Sequence, residues 1–390
     1  MIRQAFVHIG GEKTGTTTLQ AFLSRNAALL RKAGFYYPCE PGNICFENDA
    51  HFPVAASLID REVEFVSRER QNVLSSVLAE LTRRCSTTDG TLILSCEHLS
   101  SRLRDADQLR ALREALPTDD IKIVFYAREP SELALASWST GVQCGDRRKF
   151  TADGITPKDA YFNHLKTLDL WAGVFGSENM IVREYDRAQL TDRDIRRDFC
   201  EQLGIELDNP HLDGDYNQSL DLQRLEVLRH INGALPLFGE SPDGWREAQN
   251  LRRLIAACIP EGESLGALLS GREAAEIKTR FSEANHEMNE RYFGGRLSDK
   301  WFPSDVSAAE EAAEDAVAGP DIMPALRDTI IRIAELTHRD DINEVVKAAD
   351  PAKIQSRRRR FRGTKRKLKE MMRTIRQKLW VGPDRSAAVR

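Results

Sequence analysis

The chain has 390 residues, 41% of them hydrophobic and 30% charged, and a formal net charge of −4. That length buries a large core in one big domain or two, and the composition is ordinary for a soluble globular protein. No apolar run approaches the roughly twenty residues that span a bilayer, which excludes a membrane-spanning helix. Seven scattered cysteines, odd in number and without a C-x-x-C pair, argue against a disulfide framework or a zinc site and fit a reducing compartment. The small net charge hides an asymmetry. Residues 353–390 carry 15 Lys and Arg against Glu370 and Asp384, and the other 41 basic and 58 acidic residues leave −17 over 1–352.

In chain order, 5–9 is an apolar run of strand length and 10–18 a loop of Gly and Thr. Leu19, Phe22, Leu23 and Leu30 then mark the buried face of a helix. Arg31 and Lys32 lie in its last turn, and Gly34 stops it. Residues 35–38 read as a short second strand, 39–50 as a loop, 51–58 as a helix opened by His51, and 61–84 as another helix. The compact strand 91–95 runs into Cys96, Glu97 and His98, and 105–116 is helical. Residues 121–127 are near-continuously apolar, as a parallel strand buried on both faces should be. Arg128 and Glu129 follow, and Pro130 opens a helix. Residues 142–157 are a charged loop, 161–175 an amphipathic helix, 180–184 a strand, and 195–203 a helix closed by Gly204. Beyond 205 the strand signals fade; 220–231, 274–292 and 322–349 read as helical, and 306–318 is rich in Ala and Glu. Strands alternating with helices call for an α/β fold, three layers around a central parallel sheet, with a helical C-terminal extension.

Active residues in such a sheet belong just after the C-terminal ends of the strands. The loop 10–18, Glu97, Arg128 and Tyr185 all fall there. A strand, a glycine loop and a helix together hold a phosphate, because loop N–H groups and the unpaired N–H groups of the first helical turn converge on one point. The helix dipole adds positive potential there. Gly10 and Gly15 allow backbone angles and close approach that side chains would block. Gly10 to Gly15 has the G-x-x-x-x-G spacing of a nucleotide P-loop, but Thr16 follows where that loop has Lys. The one lysine is Lys13, inside the loop, and Thr14, Thr16, Thr17 and Thr18 supply four hydroxyls. The plain alternative is an ordinary strand-to-helix turn rich in Gly and Thr.

The string KTGTT at 13–17 resembles the 5′-phosphosulfate loop of the PAPS-dependent sulfotransferases. That family moves a sulfuryl group from 3′-phosphoadenosine 5′-phosphosulfate (PAPS) to a hydroxyl or amine and needs no metal. The resemblance implies that Gly11 and residues 13–18 hold the phosphosulfate. Lys13 would stabilise charge on the bridging oxygen as the nucleotide leaves, an effect of about 3 kcal/mol. It also implies that Arg128, in an Arg-x-Pro opening, and a serine of the next helix bind the 3′-phosphate. The usual serine position, 136, is Ala, which leaves Ser137, about 100° further round the helix, or Ser131. The plain alternatives are a helix-end salt bridge for Arg128 and an ordinary helical serine for Ser137. Tyr185 resembles a family tyrosine near the adenine, against the simpler reading of a core tyrosine.

Transfer to an alcohol needs a base. Glu97 is the first choice, ahead of His98 and His51, with a structural Glu97, capping a helix or pairing with an arginine, as its rival. Continued strand geometry would send Glu97 and His98 to opposite faces, so that one alone enters the cleft. His51 would orient the acceptor or cap its helix. The expected molecule is therefore a cytoplasmic sulfotransferase with a catalytic domain at 1–302, a helical extension at 303–352 and a basic amphipathic tail at 353–390. Its acceptor is expected to be a small molecule or a glycan, with a carbohydrate or glycolipid hydroxyl preferred. In the tail, Leu368, Met371, Met372, Ile375 and Leu379 follow helical spacing among the basic residues, which fits an anionic membrane surface, the inner membrane in this setting. An acidic polysaccharide, the chain's own acidic body, or a solvated tail with no partner are the other readings, and no aromatic platform supports nucleic acid. The rival functions are a P-loop kinase and a non-catalytic nucleotide-binding protein recruited through the tail.

Overall fold

The computed structural model of the chain describes residues 1–59, 72–212, 220–232, 252–253 and 255–303. Its five strands are β1 (Ile2–Gly10), β2 (Phe35–Tyr36), β3 (Gly90–Ser95), β4 (Ile121–Ala127) and β5 (Met180–Glu184). They lie in the order β2-β3-β1-β4-β5, and every neighbouring pair is parallel.

The alternation of side chains along each strand divides the core in two. Ala5, Val7 and Ile9 of β1 join Leu92 and Leu94 of β3 and Ile123 and Phe125 of β4 on one face. Helices α4 (Val77–Ser86), α6 (Ala106–Ala115) and α8 (His164–Phe175) cover that face through Leu81, Leu112, Trp171 and their neighbours. Phe6, Ile93, Val124 and Tyr126 point the other way, onto α1 (Thr16–Arg25) and α9 (Ile195–Leu203) through Leu19, Phe22, Leu23 and Phe199. The fold is therefore the expected three-layer α/β/α arrangement, with a P-loop-like strand, loop and helix at its centre. From β1 the chain crosses to the outer β2, returns inward to β3, and then passes β1 to reach β4 and β5 on the other side, so the loop after β1 stands at the topological switch point of the sheet.

Several boundaries differ from expectation for local reasons. The helix expected to run on to Lys32 breaks at Asn26, whose side-chain amide donates to the carbonyls of Phe22 (2.9 Å) and His211 (3.1 Å). The chain then continues as α2 (Ala27–Lys32). β2 ends at Tyr36 rather than at 38. The helix expected from 161 starts at His164, because Asn163 takes the N-cap and accepts from Lys166 N–H, and Tyr161 falls in a turn. α7 (Pro130–Gln143) reaches just into the expected loop. α11 (Gly271–Met288) gives way to one wide turn, Asn289–Phe293, closed by the left-handed Gly294. The remaining described helices are α3 (Phe52–Ser57), α5 (His98–Arg102) and α10 (Leu222–Asn232). Residues 61–71 of the helix expected at 61–84, the helices expected at 306–349 and the basic tail lie outside the described residues. No described helix is long and apolar enough to cross a membrane.

The chain forms two compact units. The first, among the described residues, takes 1–59, 72–134, 152–212 and 271–303 and contains the whole sheet. The second, among the described residues, takes 135–151, 220–232, 252–253 and 255–270, so the boundary falls inside α7. Within the second unit the side-chain amide of Asn232 donates to the carbonyls of Val142 and Asp146 and its oxygen accepts from Arg252, which ties α10 to the end of α7.

Candidate active site

The loop after β1 is placed by contacts too close for a side chain. Gly10 has a φ of +78°, and a methyl group there would lie 2.6 Å from Cβ of Glu97. A methyl on Gly11 would lie 2.4 Å from the carbonyl oxygen of Tyr126. The loop thus rests directly on Glu97, two residues past β3, and on the end of β4.

Lys13 sits at the turn of this loop with a φ of 63°. A left-handed conformation costs a non-glycine residue about 1–2 kcal/mol, so the surroundings must hold it. They do so on both sides. The hydroxyl of Thr14 donates to the Gly11 carbonyl at 2.6 Å, and Nη1 of Arg128 donates to the Lys13 carbonyl at 2.7 Å. α1 then starts from Gly15, a left-handed N-cap, with no side-chain cap and no acidic residue in its first turn. The positive end of the helix is therefore uncompensated by its own side chains. The four expected threonine hydroxyls are not equivalent. That of Thr14 is used by the loop, Thr16 and Thr18 are buried, and Thr17 is exposed.

Arg128 is a brace of the loop as well as a cation beside it. Its Nε lies 3.5 Å from a Glu132 carboxylate oxygen, and its guanidinium carbon lies 5.7 Å from the ring centre of Tyr185. Its own carbonyl accepts from Nε2 of His164 at 2.6 Å, which fixes that buried ring as the neutral Nε2–H tautomer. Burial lowers the pKa of His164 to about 4. Tyr185 is half-buried; its N–H donates to the Ala127 carbonyl, and its hydroxyl would lie 3.0 Å from a methyl on Gly15. Ser131, the alternative serine, donates instead to the buried carboxylate of Glu129, which also accepts from Glu132 N–H at the start of α7. Ser137 is half-buried on the part of α7 that belongs to the second unit.

Glu97 and His98 do not alternate as strand residues, because β3 ends at Ser95 and Glu97 already has helical angles as the N-cap of α5. The Glu97 side chain makes no cap bond; Oε2 accepts from Nε2 of Gln20 at 2.7 Å. His98 packs edge-on against Phe52, with ring centres 5.1 Å apart, and its Nδ1 lies 3.9 Å from Oε1 of Glu12. Burial lowers the His98 pKa; Glu97 and Glu12 act to raise it, Arg102 and Lys13 to lower it. His51 has no place here. It is fully buried, its Nδ1 accepts from Ser95 N–H at 3.1 Å, and Nε2 faces the Pro38 carbonyl at 3.3 Å. Both ring nitrogens serve the backbone, so the acceptor-orienting role expected of His51 has no free atom to perform it. It makes no side-chain cap bond for α3 either.

Three residues that sequence reasoning passed over stand in the site. Glu12 accepts from the Tyr161 hydroxyl at 3.1 Å. Lys300 reaches Asp186 at 2.7 Å and Glu132 at 3.2 Å. Glu12 was visible as a charge inside the loop; Tyr161 and Lys300 carry no local signal of their own.

No family model matches the chain. Over 222 residues it is 26% identical to an uncharacterized protein of Archaeoglobus fulgidus. The match covers 57% of this chain and spans 59% of the length of that relative. Among solved structures the chain is similar to the crystal structure of a sulfotransferase from Alicyclobacillus acidocaldarius, at 18% identity and a TM-score of 0.33, over 56% of this chain and 87% of that one.

Proposed function

We propose that the chain is a sulfotransferase that moves a sulfuryl group from PAPS to a hydroxyl acceptor, with a carbohydrate or glycolipid preferred on the sequence reading. The observation that carries this is Lys13. Its ammonium group stems from a strained turn pinned by Arg128 and Thr14, between a glycine-packed strand end and an uncapped, acid-free helix N-terminus. Those donors suit a doubly anionic phosphosulfate, and a lysine inside the loop suits charge growing on a bridging oxygen. A kinase loop would instead place lysine after Gly15, where this chain has the buried Thr16.

In this reading the N–H groups of Gly11 and of residues 13–18 cradle the phosphosulfate, and Thr17 adds a hydroxyl. Thr14, Thr16 and Thr18 act through their backbone. Arg128 meets the 3′-phosphate, which competes with Glu132 for the guanidinium, and Tyr185 lies on the nucleotide side. Ser137 receives no role. As the new S–O bond to the acceptor forms, the bond to the bridging oxygen breaks. Lys13 meets the charge left on the nucleotide phosphate, and the Glu97–His98 pair supplies the base.

Radiolabelled PAPS incubated with an acceptor pool, followed by identification of the labelled product, tests the reaction. Label is expected in a hydroxyl acceptor, and Lys13→Ala is expected to lose at least ~100-fold in rate, as single charge-stabilising donors do. Full activity in that variant, or magnesium-dependent ATP turnover without use of PAPS, would sink the proposal.

A further inference from the structure

A guanidinium that receives a phosphate must not be spent on a carboxylate of its own chain. Nη1 of Arg128 donates to the Lys13 carbonyl at 2.7 Å, while its Nε is buried and makes no hydrogen bond among the described residues. The acid paired with it is Glu132, four residues on along α7, with Oε2 3.5 Å from that Nε. An i, i+4 pair of opposite charge closes readily on a helix, and a closed pair would take the donor that the loop leaves over. Glu132 is instead drawn the other way. Its Oε1 accepts from Nζ of Lys300 at 3.2 Å, and the same Nζ lies 2.7 Å from Oδ2 of Asp186 and 3.8 Å from Oε1 of Glu184. Burial works against the charge of Lys300, but Asp186 and Glu132 outweigh it and raise its pKa. Lys300 is fixed in place because Ser298 and Trp301, on either side of it, both donate to the Glu184 carboxylate at the end of β5.

We propose that Lys300 is a positioning residue that holds the Glu132 carboxylate off Arg128, and that the Glu132–Lys300 pair sets the selectivity of the site for a nucleotide carrying a 3′-phosphate. The inference rests on the sulfuryl-transfer reading, in which Arg128 meets that phosphate. Lys300 does not touch the ligand, since its charge is already shared among Asp186, Glu132 and Glu184. A 3′-phosphate carries about two negative charges and outcompetes a single carboxylate for Nε of Arg128. Lys300 keeps the carboxylate that the phosphate displaces. A nucleotide without that phosphate leaves Arg128 and Glu132 as they are and gains nothing from the arrangement. Without Lys300, Glu132 closes on Arg128 and competes with the ligand as an unshared charge.

Calorimetric titration of the full chain with 3′,5′-ADP and with 5′-AMP reads the pair. Glu132→Gln removes the competing charge and is expected to tighten 3′,5′-ADP by about 3- to 5-fold, the scale of one half-exposed ion pair. Lys300→Met is expected to weaken it by about 5- to 10-fold with 5′-AMP unmoved, and Lys300→Arg to restore most of the loss. Combined with Glu132→Gln, Lys300→Met is expected to cost nothing, because the acid that Lys300 restrains is gone. A loss that persists in full beside Glu132→Gln would mean that Lys300 binds the phosphate itself or acts through packing, and overturns the proposal. Wild-type affinity in Lys300→Met overturns it too. The Nε–H resonance of Arg128, assigned by its loss in Arg128→Lys, gives a reading without ligand. It is expected to move in Lys300→Met as Glu132 closes on it, and an unmoved resonance contradicts the restraint. If the wild type binds 3′,5′-ADP no better than 5′-AMP, the function fails, and that resonance alone still decides whether Lys300 restrains Glu132.

Discussion

At the scale of single residues, the site depends on two close approaches and one strained turn. Gly11 cannot carry a side chain, since a methyl would stand 2.4 Å from a main-chain oxygen of β4. Backbone does not yield as a flexible side chain does. Gly11→Ala is expected to lower stability by about 1–3 kcal/mol, as overpacking does, and to weaken binding of 3′,5′-ADP. Thermal unfolding and calorimetric titration check the two effects, and an unchanged melting temperature would show that the loop is not packed in this way. Arg128→Lys keeps the charge but loses the fork that bonds the Lys13 carbonyl. It is expected to cut transfer by ~10-fold or more while leaving the fold intact, as rates beside a circular dichroism melt would reveal. The glycines, Lys13 and the threonines were legible in the sequence because their meaning lies in spacing over a few residues. The partners that give them geometry were not. Arg128 is 115 residues from Lys13 and Tyr161 is 149 from Glu12, and no local pattern encodes such pairs.

Among the elements, the strands were the most legible, because burial on both faces leaves near-continuous apolar runs. Their order was not, since it depends on which crossover lands on which side of β1. Helix limits moved where one polar side chain overrode the apolar rhythm, as Asn26 and Asn163 do. The end of β5 shows how a late segment is fastened to the sheet. The buried carboxylate of Glu184 accepts from Ser298 N–H at 3.0 Å, from the Ser298 hydroxyl, and from the indole N–H of Trp301 at 2.8 Å. Lys300 is thereby set beside Asp186 and Glu132. Glu184→Ala leaves the buried Trp301 indole N–H and the half-buried Ser298 donors unpaired and is expected to destabilise by about 1–3 kcal/mol. Urea unfolding followed by tryptophan fluorescence measures it, and a wild-type midpoint would mean that the 298–301 segment is held by apolar packing alone.

For the molecule as a whole, three buried histidines among the described residues contribute to the response to acid. Burial lowers the pKa of His8 to about 3 and those of His51 and His164 to about 4. An exposed histidine in the unfolded chain titrates near 6.5, so the unfolded state binds protons first as pH falls. Stability from these groups is complete above about pH 6.5 and is lost as pH drops toward 4. Urea midpoints should therefore be level above pH 7 and fall steeply below 6; a flat profile down to pH 4 would show that the three rings are hydrated. The tail at 353–390 lies outside the described residues, and its basic amphipathic pattern leads to a separate proposal. Removing it should abolish sedimentation with anionic vesicles, strongly so at low salt, and leave transfer to a soluble acceptor unchanged. Vesicle binding that survives the deletion would rule the tail out as the anchor.

Calorimetric titration of the full chain with 3′,5′-ADP, without magnesium, bears most directly on the site. Saturable one-to-one binding, weakened in Arg128→Ala and competed by PAPS, is the expected result. Heats no larger than those for 5′-AMP, or binding that appears only with ATP and magnesium, would contradict it.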